Sequence, residues 1–153
     1  MAPGGAGTRS GVLEHWKLRS DLGEAMPTAK TMVMLYGSGG HHETVSYSLI
    51  VHREADGRWR GSSVGARRSW IVDDKPVPMP KDEWVMSVAR AKQLEAALAR
   101  RCVARPAAPP GWGEPPEIGE LGQQIDIVEG GKVVATFPAS GDGGAIAALV
   151  RPE

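Results

Sequence analysis

Residues 44–65, TVSYSLIVHREADGRWRGSSVG, decide the fold. From Thr44 to His52, Val45, Tyr47, Leu49 and Val51 alternate with Ser46, Ser48, Ile50 and His52. A period of two marks a strand with one face toward a core. Asp56-Gly57 follows at once, and Asp-Gly between two β-like runs is the strongest short hairpin signal, because both central residues of the tight turn must accept positive φ. The return strand, Arg58 to Gly65, sets Trp59, Gly61 and Ser63 on one side and Arg58, Arg60, Ser62 and Val64 on the other. Glycines inside a strand point to a bulge or to the close approach of another group.

Upstream, the continuous run Thr31-Met32-Val33-Met34-Leu35-Tyr36 is short and β-rich, which fits a central strand buried on both faces. Gly37-Ser38-Gly39-Gly40 ends it in a hairpin turn, with the glycines supplying positive φ. The segment Val12 to Leu22 alternates Glu14, Trp16 and Leu18 and reads as a strand, with a turn at Gly23 to Pro27. Residues 1–11 have the composition of a disordered tail, so the single domain spans 12–153.

Downstream, Arg68 to Val72 continues the meander and Asp73-Asp74-Lys75-Pro76 turns the chain. Pro76, Pro78 and Pro80 forbid regular pairing and lead an extended segment toward a helix. Ser87 caps that helix, in which Val88, Ala91, Leu94, Leu98 and Cys102 recur at spacings of three and four as one apolar stripe. Residues 105–117 form a stiff proline-rich linker that carries Trp112. Gln123 to Val128 and Lys132 to Phe137 are two further strands joined by Gly130-Gly131, and Asp142 to Val150 is a short closing helix. The predicted fold is therefore α+β: an antiparallel β-meander packed on one main amphipathic helix, with a C-terminal hairpin and short helix.

Composition excludes several function classes. With 18 basic and 18 acidic side chains the formal charge is zero, so no global field draws the chain to nucleic acid or to an anionic membrane. No apolar stretch reaches the roughly 18–20 residues of a membrane span, so the chain reads as soluble. It lacks the basic start and apolar stretch of a signal peptide, which makes it cytoplasmic by default, or periplasmic or secreted if a leader has been removed. The single cysteine, Cys102, rules out an internal disulfide and reads as a small buried hydrophobe. A bias toward Ala, Gly, Arg and Pro suggests a GC-rich bacterial genome. Five tryptophans against one Phe put Trp16, Trp59, Trp70 and Trp84 in the core or on a binding face.

Chemistry concentrates in Gly39-Gly40-His41-His42-Glu43, between two strands. His41, His42 and Glu43, with His52 on the next strand, are the candidate metal ligands, and their types suit Zn²⁺. Adjacent strand residues point to opposite faces, however, and a solvated polar loop is the competing reading. Ser38 with His41 or His42 and Glu43 lacks the elbow sequence of a catalytic serine, so no catalytic residue is assigned. The glycine loop runs into a strand and carries no Lys, unlike a phosphate loop. Arg58, Arg60, Arg67 and Arg68 interleave with Trp59 and Trp70, a mixture that grips single-stranded nucleic acid. Alternation instead sends the arginines to water.

These readings support a non-enzymatic binding or interaction module with no cofactor. Gly39, Gly40, Arg58 and Arg60 are the candidate binding residues, toward a protein or small-molecule partner. The alternative is a metal-binding protein or metal-dependent hydrolase, which requires the His-His-Glu loop and His52 to converge.

Overall fold

Residues 32–35 offer no polar side to water, and they become the strand with a core on each face. In the computed structural model, which describes residues 10–40, 42–69, 75–100, 122–139 and 142–152, the elements are α1 (Val12–Asp21), β1 (Met32–Gly39), β2 (Glu43–Arg53), β3 (Trp59–Ser69), β4 (Val77–Pro78), β5 (Asp82–Val85), α2 (Val88–Arg100), β6 (Gly122–Glu129), β7 (Lys132–Pro138) and α3 (Asp142–Val150). The seven strands make one antiparallel sheet in the order β4-β3-β2-β1-β6-β7, with β5 sharing the outer edge of β3. The expectations for residues 1–9, His41, Trp70 and residues 71–74, Cys102, and 105–117 with Trp112 lie outside the described residues.

The α+β architecture is as the sequence predicts. On one face Val33, Leu35, Leu49, Val51, Ile125 and Ile127 lie under Leu94 and Leu98 of α2 and Ile146, Ala147 and Val150 of α3. Trp59 is fully buried there, and its indole N–H donates to Glu95 Oε1 at 3.1 Å. The Ser87 hydroxyl accepts from the Arg90 amide at 3.2 Å, so the helix begins where its cap predicts. The stripe is shorter than expected, since Val88 is 73% exposed and burial falls on Leu94 and Leu98. The opposite face carries Met32, Met34, Ile50 and Val128, with Val12, Met26 and Ala29 packed on them. Ile50, assigned above to the polar side of its strand, is fully buried because this second face is also covered.

What covers it is the main correction: residues 12–21 form a helix, not a strand. Gly23 takes φ +71, its amide bonds Ser20 O at 3.1 Å, and the Glu24 amide bonds Arg19 O at 2.7 Å. That pair of bonds is the Schellman closure of a helix, available cheaply only to glycine at that position. The residues α1 buries are His15 and Arg19, four apart, while Leu13 and Trp16 are 67% and 54% exposed. The helical period is thus written in polar residues, and the alternation of Glu14, Trp16 and Leu18 is incidental.

The turns also differ in detail. At Asp56-Gly57 only Gly57 has positive φ; its amide bonds Glu54 O at 2.9 Å, and the Glu54 amide bonds Arg58 O at 2.7 Å. The turn therefore runs from Glu54 through Gly57, one residue longer than the two-residue form, with Asp56 Oδ1 accepting from the Arg58 amide at 2.9 Å. Gly37 and Gly39 belong to β1, and of the four glycine-loop residues only Gly40 takes positive φ. Gly37 and Gly61 serve instead as seats for aromatic rings: a Cβ at Gly37 would fall inside the Tyr47 ring, and one at Gly61 inside the Trp84 indole. β3 continues without a break through Gly65 to Ser69. The proline segment does pair, through Val77–Pro78 and Asp82–Val85, because both stretches lie on an outer edge where a missing N–H interrupts no further strand.

Candidate functional site

β2 fixes the positions of the sequence-predicted ligands. It is extended from Glu43 to Arg53, so His52 lies nine residues, about 30 Å, from Glu43 at about 3.3 Å per residue. Gly39, Gly40, His42 and Glu43 sit at one end of the ribbon, with His42 and Glu43 exposed and Glu43 Oε1 3.8 Å from Arg67 Nε. His52 is at the other end, opposite Met32, and burial pushes its pKa down against the pull of Glu54. It does not join the loop, and among the described residues no three His, Cys, Asp or Glu side chains gather as a metal would need. Arg58 and Arg60 share the His52 end and face Asp56 and Glu54, the first pair at 3.7 Å. Arg67 and Arg68 stand at the far end of β3, so the four arginines make no common patch.

The closest clustering of polar groups lies elsewhere, between α1 and the sheet. α1 crosses the strands obliquely: the Gly11 amide at its start donates to Asp126 Oδ2 on β6 at 2.8 Å, His15 stands over Ser48 on β2, and Arg19 reaches Ser62 on β3. Arg19 spends all five guanidinium N–H groups. Nε donates to Ser48 Oγ at 2.8 Å, one terminal nitrogen to Ser62 Oγ (3.1 Å) and Ala25 O (3.4 Å), and the other to Ser48 O (3.1 Å) and Ser62 O (3.2 Å). Burial lowers its pKa to about 10, with Glu24 opposing, so it stays charged at neutral pH.

His15 Nδ1 lies 2.5 Å from Ser48 Oγ. Burial first, and the Arg19 charge second, push the imidazole down to about 3, so it is neutral. Ser48 Oγ thus accepts from Arg19 Nε and shares a hydrogen with His15 Nδ1, while Nε2 is buried without a hydrogen-bond partner among the described residues. Asp126 accepts from Thr136 Oγ1 at 2.5 Å and from the Gly11 amide. His15, Ser48 and Asp126 are all fully buried. The Ser48–His15 pair therefore has a nucleophile's composition without substrate access, and its bonds serve to seat α1.

A cleft opens at each end of α1. At its start, about 330 Å³ is bounded by Gly11, Glu14, Tyr36, Gln123 and Gln124, and Glu14 Oε2 is buried there without a hydrogen-bond partner among the described residues. At its end, about 450 Å³ is bounded by Leu18, Asp21 and Leu22 on the helix side and by Thr44, Ser46 and Arg68 on the sheet side. The second cleft begins at Thr44, the residue after Glu43 in β2, and Pro76 lines it as well. Sequence reading missed His15, Arg19, Ser48 and Asp126. Their one signal was the four-residue spacing of His15 and Arg19 ahead of Gly23. No helix among the described residues is long and apolar enough to cross a membrane. No protein family matches the chain, and no match is found among curated proteins or solved structures.

Proposed function

We propose that the chain is a non-enzymatic binding module whose ligand enters the cleft between the end of α1 and the β2–β3 ribbon. One observation carries this reading. The hydroxyl–imidazole pair of Ser48 and His15 is buried and hydrogen-bonded within the fold, whereas the larger of the two clefts is open and lined by apolar, hydroxyl and charged groups suited to holding a molecule. The sheet then acts as a rigid support, and the end of α1, Thr44 and Pro76 form the rim.

The test is a ligand-observed NMR fragment screen on the wild type and on Ser46→Phe, which fills the cleft. Hits that bind the wild type and are lost in Ser46→Phe support the reading. Hits spread equally over both proteins refute it. So does turnover of p-nitrophenyl acetate by the wild type that falls to background in Ser48→Ala, since that would make the buried pair catalytic.

A further inference from the structure

We infer that the cleft at the end of α1 receives a free α-amino acid with an apolar side chain, an inference that rests on the binding reading above and specifies its ligand. The charges on the cleft walls are the ground for it. Four arginines of the β2–β3 ribbon face a carboxylate: Arg53 with Glu95, Arg58 with Asp56, Arg60 with Glu54 and Arg67 with Glu43. Arg68 has no hydrogen-bond or ion-pair partner among the described residues. Its register opposite Thr44, with Ala66 opposite Ser46, puts it on the same sheet face as those two hydroxyls, toward α1.

Asp21, on the helix wall of the same cleft, is also without a partner among the described residues. It is the last residue of α1, where a carboxylate meets the negative end of the helix dipole, so helix stability does not account for it. A guanidinium and a carboxylate thus face one cleft without pairing to each other. A ligand with both charges satisfies both: its carboxylate takes the fork of Arg68, and its ammonium takes Asp21. Leu18 and Leu22 supply an apolar wall for a side chain. The volume, about 450 Å³, sits in the lower half of the range of about 300–1,000 Å³ for small-molecule sites. A ligand with an anionic group alone would meet Asp21 unfavourably, and a simple cation would meet Arg68.

The experiment is an amide NMR titration with L-leucine, with leucinamide, which lacks the carboxylate, and with N-acetylleucine, which lacks the ammonium. It is run on the wild type, Arg68→Gln and Asp21→Asn. Saturable shifts confined to residues 18–22, 44–46 and 66–69 are expected with leucine, and binding weaker by about tenfold or more with each derivative. Arg68→Gln should lose the preference over leucinamide, and Asp21→Asn the preference over N-acetylleucine. Equal binding of all three probes in the cleft overturns the amino-acid inference and leaves the binding module standing. No shift at these amides with any probe also overturns the inference, while the fragment screen with Ser46→Phe judges the cleft independently.

Discussion

Acidification should unseat α1 through His15. The imidazole is fully buried and held neutral, its pKa pushed from 6.5 to about 3 by burial and by Arg19. A histidine with a depressed folded-state pKa gives stability that is complete above the unfolded value and lost as pH falls below it, because the unfolded chain takes up the proton first. The window is therefore from about 6.5 down to about 3. Over the whole of it, 3.5 units at about 1.4 kcal/mol each amount to about 5 kcal/mol, and between pH 7 and pH 4.5 the loss is about 3 kcal/mol. Carboxylates titrate in the same range, so the measurement is a difference. Urea unfolding of the wild type and of His15→Asn, followed by tryptophan fluorescence at half-unit steps of pH, gives two stability curves. The Asn side chain can accept the Ser48 proton and does not titrate. The wild-type curve should fall about 3 kcal/mol further than the variant's by pH 4.5. Parallel curves would refute the placement of a neutral imidazole against Ser48 and Arg19.

Three further outcomes test the fold and the site. Arg19→Lys keeps the charge but not the five-bond fork; leaving Ser48 and Ser62 groups unpaired should cost about 2–3 kcal/mol in urea unfolding, with faster amide exchange in α1 than in β1. Gly61→Ala drives a Cβ into the Trp84 indole and should cost about 1–3 kcal/mol, read as a lower urea midpoint at unchanged slope. Titration with Zn²⁺ should leave the His52 imidazole signals unmoved at concentrations that shift His42 and Glu43, since about 30 Å of extended β2 lies between them. Coincident shifts would mean that the ribbon folds back as the metal reading requires.

The sequence and the structure agree where a strand's two sides differ in polarity or are both apolar. Thr44 to His52 alternates because its apolar side meets the α2 core while Ser48 on its other side meets His15 and Arg19 of α1, residues 32–35 are uniformly apolar because cores lie on both sides, and the Asp-Gly and Gly-Gly pairs sit at two of the hairpins. Residues 12–21 were illegible for a physical reason. Helix prediction assumes that the inward stripe is apolar, whereas α1 turns His15 and Arg19 inward and leaves Leu13 and Trp16 outside. Their burial is tolerable only because serines 48 and 62 and the Ala25 carbonyl receive them, and those partners lie 6 to 43 residues away in the chain. The glycines at 37 and 61 were likewise ambiguous, because the rings that need the space, Tyr47 and Trp84, come from neighbouring strands.

For the candidate site the division is similar. The residue types of the His-His-Glu loop and of the arginine pairs could be read directly, but their convergence could not, since extension of β2 sets it and separates His52 from the loop. The chain by itself determined the α+β class, the two hairpins, the capped helix α2 and the strand with two buried faces, because each rests on local periodicity or on a backbone angle that few residues accept. Tertiary structure alone decided that α1 is a helix, that its buried side is polar, and that Asp21 and Arg68 face one cleft, because each depends on groups far apart in sequence coming to the same face of the sheet.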